Sequence, residues 1–301
     1  MNGVIVVNKP QEFTSFDVVA VMRRLCGQKK IGHTGTLDPM AEGVLPVLLG
    51  NATRAQDILP DSDKSYEAGF LLGKTTDTLD IWGQVQSEKT SGITKDELLT
   101  AMNKFRGTIS QLPPMYSAVK KNGVRLYDLA RQGVVVEREP RNVTISRLEL
   151  NSFDELTQTG TLEISCSKGT YIRSLIDDIG ALLGVGGVMT SLVRTRACGY
   201  ELCDAVKLDK LREMTRDQIG SLVRPTQGLF ADYRQLKVSD KQFKRFSNGG
   251  TLDIDKTAVR NSAKENELLR ICTAAGDFAG LGRADVDKGV ITVYKIFPVN
   301  G

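Results

Sequence analysis

Apolar residues along this chain fall into two rhythms that alternate. Val4–Val7 is a short continuous apolar run closed by Asn8-Lys9-Pro10 and reads as a strand. Thr14 and Asp17 then stand at capping-box spacing, and Val18, Val21, Met22 and Leu25 form a helical stripe that stops before Gly27. Gly32–Gly50, GHTGTLDPMAEGVLPVLLG, breaks the rhythm: a Gly/Thr-rich polar turn runs straight into Val44–Leu49, a buried strand. Pro46 predicts irregularity at the early end of that strand. Asn51–Arg54 predicts a short helical turn, and Ser65–Leu72 a strand closed by Gly73-Lys74. Asp77–Trp82 reads as a polar loop and Ser87–Ile93 as a mobile surface connection. A helix opens at Thr94, with Glu97 three residues on, and buries Leu98, Met102 and Phe105.

The prolines in Leu112-Pro113-Pro114-Met115 exclude a central strand there, because neither can donate to a ladder. Thr144–Leu150 alternates cleanly, and Thr161–Cys166 answers it as an antiparallel partner. Tyr171–Leu183 is helical, with Ile172, Leu175, Ile176, Ile179 and Leu183 on one side, and Gly184, Gly186 and Gly187 end it. Leu192–Tyr200 is a further strand, with Arg194 and Arg196 on one face if it is regular. A boundary near Ala231–Gln235 divides the chain into 1–233 and 234–301. The second part holds a helix at Ser239–Phe246, a Gly249-Gly250 turn and apolar segments at Leu268–Thr273, Gly276–Gly282 and Val290–Ile296. The pattern is α+β, a mixed or antiparallel sheet with inserted helices, followed by a small β-rich module.

Composition narrows the picture. The chain has 301 residues, 40 basic against 36 acidic, and its net charge of +4 does not by itself indicate nucleic acid. Distribution says more: Ala118–Arg147 holds seven Lys/Arg against three Asp/Glu, and Arg23, Arg24, Lys29 and Lys30 crowd the approach to the polar turn. Five cysteines without a CxxC pair argue for a reducing compartment and against a disulfide scaffold or zinc ribbon. The lone histidine, His33, excludes a multi-histidine metal site. No apolar run approaches the roughly 20 residues that span a bilayer, and MNGVIVVNKP lacks the basic start of a signal peptide, so a cytoplasmic location is expected.

Candidate chemistry centres on the polar turn. Asp38 sits between Leu37 and Pro39, so its backbone is biased away from the helical region. A carboxylate on a stiff loop anchored by a buried strand suits a nucleophile. On spacing alone it suits a turn cap equally well.

The stretch closely resembles the signature of bacterial tRNA pseudouridine synthases of the TruB family. MNGVIVVNKPQEFTSFDVV, SYEAGFLLGKTTDTLDIWG, PPMYSAVKKNGVRLYDLAR and CSKGTYIRSLIDDIG resemble the same family in the same order, and GDFAGLGRADVDKGVITVYKIF resembles the close of a PUA domain. The resemblance implies a pseudouridine synthase catalytic domain with a PUA-like RNA-binding module. It also implies isomerisation of uridine to pseudouridine at position 55 in the T arm of tRNA. Asp38 takes the place of the family's nucleophile. Arg173 is chosen as its cation, since a guanidinium can chelate both carboxylate oxygens and stay charged. Tyr66 matches the tyrosine that stacks on the flipped uracil and accepts the C5 proton, directly or through water. Tyr171, Leu192 and Lys9 match pocket positions, with Lys9 near the substrate backbone and Leu192 against the base. His33 fits base flipping, occupying the vacated stack or contacting a phosphate.

The remaining implications concern RNA. Arg23, Arg24, Lys29, Lys30, Lys120, Lys121, Arg125 and Arg131 are candidates for phosphate contact, with residues 112–142 as the basic RNA-contacting segment. The reaction exchanges N1–C1′ for C5–C1′ with no net redox change, so no cofactor is required. The partner implied is tRNA, with no membrane and no obligate protein. The resemblance favours chemistry at the sugar over an adduct at C6 of the base. The rival reading is a non-catalytic tRNA-binding or tRNA-folding protein on the same scaffold. An aspartate-dependent hydrolase is disfavoured because no second carboxylate stands at an interpretable spacing.

Overall fold

The computed structural model of the chain describes residues 1–60 and 63–298. Strand β1 is Gly3–Lys9 and helix α1 is Ser15–Cys26. The capping box forms as expected: Thr14 Oγ1 accepts from the Asp17 N–H, and Asp17 accepts from the Thr14 N–H at 2.8 Å. Strands β2 (Ile31–His33) and β3 (Glu42–Leu49) bracket the polar turn. Pro46 leaves β3 regular, against expectation. It pairs with Val6 of β1 on one side, while its carbonyl accepts from the Thr34 N–H on the other. The N–H it lacks would face that second side, just beyond the end of β2, so no ladder bond is lost.

Strands β4 (Lys64–Leu72), β5 (Lys74–Thr76) and β6 (Val85–Glu88) come next, then α2 (Lys95–Met102) and β7 (Gly107–Gln111). The connection expected to be mobile is anchored. Strand β6 pairs with β5, and Ser91 Oγ and the Ile93 N–H donate to Gln158 Oε1 at 2.6 and 3.1 Å. Helix α2 buries Leu98 and Met102 but ends there, leaving Phe105 half-buried on a 3-10 turn. Next, β8 (Lys120–Lys121) and β9 (Val124–Arg125) form a hairpin leading into α3 (Leu126–Arg131). Its turn is Asn122-Gly123 with φ of 53° and 83°, the doubly left-handed turn that this dipeptide favours.

Strands β10 (Arg141–Asp154) and β11 (Thr159–Cys166) pair antiparallel as read, and α4 is Ile172–Leu182. Strand β12 runs Gly187–Ala197, so the glycines that end α4 also open it. A bulge between Arg194 and Arg196 breaks the alternation, burying Arg194 completely and leaving Arg196 part-exposed. Strands β13 (Tyr200–Glu201) and β14 (Val206–Lys207) complete a mixed sheet ordered β14-β1-β3-β12-β4-β11-β10-β7, with β13 on β12 and β2 on β3.

A second sheet is built from β15 (Gln235–Lys237), β16 (Leu252–Asp253), β17 (Leu268–Cys272), β18 (Phe278–Asp285) and β19 (Val290–Ile296), in the order β15-β17-β18-β19-β16. Alternation in β1 and β3 explains how the two sheets meet. Ile5, Val7, Leu45 and Val47 face the core under α1 and α4. Val4, Val6, Val44 and Leu48 face the opposite way, into a second cluster with Leu229, Phe230, Leu281 and Phe297. The PUA-like module therefore shares a core with the catalytic sheet. Rings of Phe230 and Phe297 lie 5.6 Å apart, and Arg54 donates to the Ile296 carbonyl at 3.2 Å.

Helix α4 carries one destabilising feature. Burial raises the carboxyls of Asp177 and Asp178, and the neighbouring Asp177 helps push Asp178 up to about 6. Above that pH the folded chain holds a half-buried charge that the unfolded chain solvates. As pH falls from about 6 toward the ordinary carboxylate value, the folded state binds the extra proton and stability rises. Asp178→Asn should therefore melt above wild type at pH 8, with the gain shrinking toward pH 5. A pH-independent gain in melting curves would contradict the assignment.

Candidate active site

The polar turn between β2 and β3 is held from beneath. Arg194, fully buried, donates Nε to the Val44 carbonyl at 2.7 Å, Nη1 to Thr36 at 3.3 Å and Nη2 to Gly35 at 3.2 Å. Ser15 brackets Leu37, accepting its N–H at 2.8 Å and donating to its carbonyl at 3.3 Å. Gly43 lets β3 approach β12: a Cβ there would lie 2.3 Å from the Arg194 carbonyl oxygen, and its φ is +103°.

Lys9 belongs to this underside, which corrects the expectation that it lines the base pocket near the substrate backbone. It is fully buried, and Nζ donates to the carbonyls of Phe13 (2.6 Å), Pro10 (2.8 Å) and Pro39 (3.4 Å). Burial lowers its pKa to about 8, partly opposed by Asp38 and Glu42. Its work is to satisfy loop carbonyls beside Asp38.

Asp38 and Arg173 come together as expected, Nη2 to Oδ2 at 2.8 Å. The guanidinium is shared between two carboxylates rather than devoted to one. Nη1 lies 3.6 Å from Asp80 Oδ2 and donates to the Thr78 carbonyl at 2.8 Å, while Nη2 donates to Tyr116 at 2.9 Å. Asp80 is the residue that sequence reasoning missed. It is buried, held by Thr78 Oγ1 at 2.8 Å and the Trp82 N–H at 3.1 Å. Burial raises its pKa, against the lowering effects of Thr78 and Arg173. The polar loop at Asp77–Trp82 thus fixes the far side of the guanidinium and leaves Asp38 at the near side, partly exposed.

A cleft of about 350 Å³ opens at Asp38, with Tyr66, Leu192, Tyr171 and Arg173 in its walls. Strand pairing sets Tyr66 opposite Arg194 and Leu192 opposite Ala68. Tyr66 is buried, which pushes its hydroxyl up to about 12 although Arg194 beside it acts in the other direction. Tyr171 caps α4, its backbone gripped by Gln111 through bonds of 2.8 and 3.0 Å. Lys64 also lines the cleft, and burial lowers its pKa. Its place two residues before Tyr66 on a strand was the signal for it.

His33 ends β2 immediately before the cleft wall and is buried, its ring 5.4 Å from that of Phe16 in an edge-to-face pair. Burial, then Arg194, lowers its pKa, against a hydrogen bond with the Gly35 backbone that raises it. The basic candidates fall in two regions. Arg23, Arg24, Lys29 and Lys30 are exposed at and after the end of α1. Lys120 and Lys121 are exposed on the hairpin, and Arg125 and Arg131 lie over the Tyr127 ring at 5.7 and 5.5 Å.

Residues 23–172 match the TruB family pseudouridylate synthase N-terminal domain, and residues 173–230 match the tRNA pseudouridylate synthase B C-terminal domain. The chain belongs to the TruB family. Among its TruB relatives, tRNA pseudouridine synthase B of Clostridium perfringens (strain ATCC 13124) is 43% identical over 290 residues, covering 96% of this chain and 97% of that protein. The Pseudomonas fluorescens (strain Pf0-1) protein of the same name is 40% identical over 291 residues, covering 95% and 93%. Among solved structures, a chain of a Cbf5-Nop10-Gar1 complex is similar at 26% identity with a TM-score of 0.73, covering 98% of this chain and 85% of that one.

Proposed function

We propose that this tRNA pseudouridine synthase acts on the uridine at position 55 in the T arm, with Asp38 as nucleophile. The observation that carries the reading is the 2.8 Å Asp38–Arg173 pair at the wall of a cleft that also holds Tyr66. Asp38 supplies the carboxylate that works on the sugar as N1–C1′ breaks. Arg173, itself fixed by Asp80 and two carbonyls, pairs with that carboxylate and keeps it aimed while water is excluded. The uracil turns in the cleft, C5 joins C1′, and the C5 proton leaves. Leu192 and Tyr171 enclose the base. The basic residues at and after the end of α1 and those on the hairpin and α3 neutralise phosphates, and the cell compartment is the cytoplasm.

Tyr66 supplies a flat face for the flipped base and a hydroxyl for the departing proton. With its pKa near 12 it is protonated at neutral pH, so its oxygen takes the C5 proton as its own proton passes to water, a relay rather than a phenolate base. Tyr66→Phe should bind tRNA normally yet lose roughly 10²–10⁴-fold in turnover. Tyr66→Leu should also bind more weakly, by about 1–3 kcal/mol for one lost stack. Full activity in the Phe variant, with equal binding by both, would remove both roles.

The reaction replaces C5–H by C5–C1′, so a transcript carrying tritium at uridine C5 reports it directly. One equivalent of tritium per tRNA should reach solvent, and replacing the uridine at position 55 by cytidine should stop the release. Undiminished release from the cytidine transcript would overturn the site assignment.

A further inference from the structure

Phe16 has no part in the chemistry just described, yet its ring meets that of His33, the residue directly before the loop that lines the cleft. It stands in the first turn of α1 and is 59% exposed, whereas Val18, Val19 and Met22 of the same helix are in the core. An exposed phenylalanine alone means little. Its neighbour gives it meaning. His33 is only 8% exposed, its ring meets Phe16 at 86°, and its Nδ1 is buried with no hydrogen-bond partner among the described residues. The imidazole meets the Gly35 backbone as well as the Phe16 ring. Of this pair it is Phe16 that opens its ring to solvent.

The placement is beside the loop that lines the cleft. His33 directly precedes Thr34–Asp38, which line it, and Ser15, the residue before Phe16, brackets the backbone of Leu37 next to Asp38. A helix with a formed capping box carries the ring, so little motion is lost when something stacks on it. Flipping a uridine out of an RNA loop leaves a neighbouring base with a bare π-face, and a fixed aromatic ring without charge matches a base rather than a phosphate.

We infer that Phe16 is a further substrate-contact residue, a stacking platform for an RNA loop base adjacent to the flipped uridine, with His33 as its backing. This rests on the T-arm reading above. The test is a coupling experiment on T-arm hairpins, measuring kcat/KM for wild type, Phe16→Ala, Phe16→Leu and Phe16→Trp. One hairpin is intact, and the others each lack a single loop base other than the target. On the intact hairpin Phe16→Ala and Phe16→Leu should lose about tenfold, within the range of one base–aromatic stack, and Phe16→Trp should retain activity. On the one hairpin missing the stacked base, that loss should vanish. An unchanged Phe16→Ala enzyme, or a loss equal on every hairpin, would overturn the inference, the latter by showing that Phe16 acts only through His33. Wild-type enzyme inactive on the intact hairpin would instead overturn the T-arm reading.

Discussion

Asp38→Asn should abolish pseudouridine formation while leaving tRNA affinity within a few-fold of wild type. The substitution keeps the shape of the side chain and removes its charge, so the sugar loses its reactive carboxylate. Removing a nucleophile costs on the order of 10⁴-fold or more in turnover where the rest of the site cannot replace it. The fold should survive, because Arg173 keeps the Asp80 carboxylate and the carbonyls of Thr78 and Tyr116. Single-turnover assays with saturating enzyme, beside filter-binding titration, separate the two effects. A variant with near wild-type turnover would remove Asp38 from the chemistry, and one that no longer binds tRNA would show the carboxylate serving the fold.

The second large effect concerns the C-terminal module. A chain ending at Tyr233 should be strongly destabilised, independent of any RNA contact. It would lose Leu281 and Phe297 from the cluster around Val4, Val6, Val44, Leu48 and Phe230, together with the Arg54 and Asn51 bonds to residues 296 and 298. Burial of each large apolar side chain contributes roughly 1.5–3 kcal/mol. Removing two and baring their partners takes away a large part of the ~5–15 kcal/mol that holds a typical domain. Phe297→Ala alone should cost about 3–5 kcal/mol. Thermal melts check both, and a truncated chain melting within a few degrees of full length would contradict the shared core. Any RNA-binding role of the module is therefore to be tested by exposed point variants, not by truncation.

How much of this was legible in the sequence depended on how local each cause was. The caps of α1 and α2 were readable because both partners of each box lie three residues apart. Asp38, Tyr66, Tyr171 and Arg173 were readable through the motifs that carry the family resemblance, and the fold brings all four to one cleft. Asp80 was not, because its meaning comes from Arg173, far along the chain and on another element. Lys9 was misplaced for a related reason: its Asn8-Lys9-Pro10 element matched a pocket position, and only the fold reveals the Phe13 and Pro39 carbonyls it satisfies. Arg194 looked like one of two arginines on a strand face until a bulge separated them. The Asn122-Gly123 hairpin was present as a local signal and was passed over in favour of the charges around it.

The central claim, that this enzyme isomerises one uridine through Asp38, is tested most directly by position-resolved pseudouridine mapping. Unmodified tRNA transcript is incubated with wild type or with Asp38→Asn, and every uridine is read. The account predicts a single new pseudouridine, at position 55, with wild type and none with the variant. A product at another position, or the same product from both proteins, would contradict it.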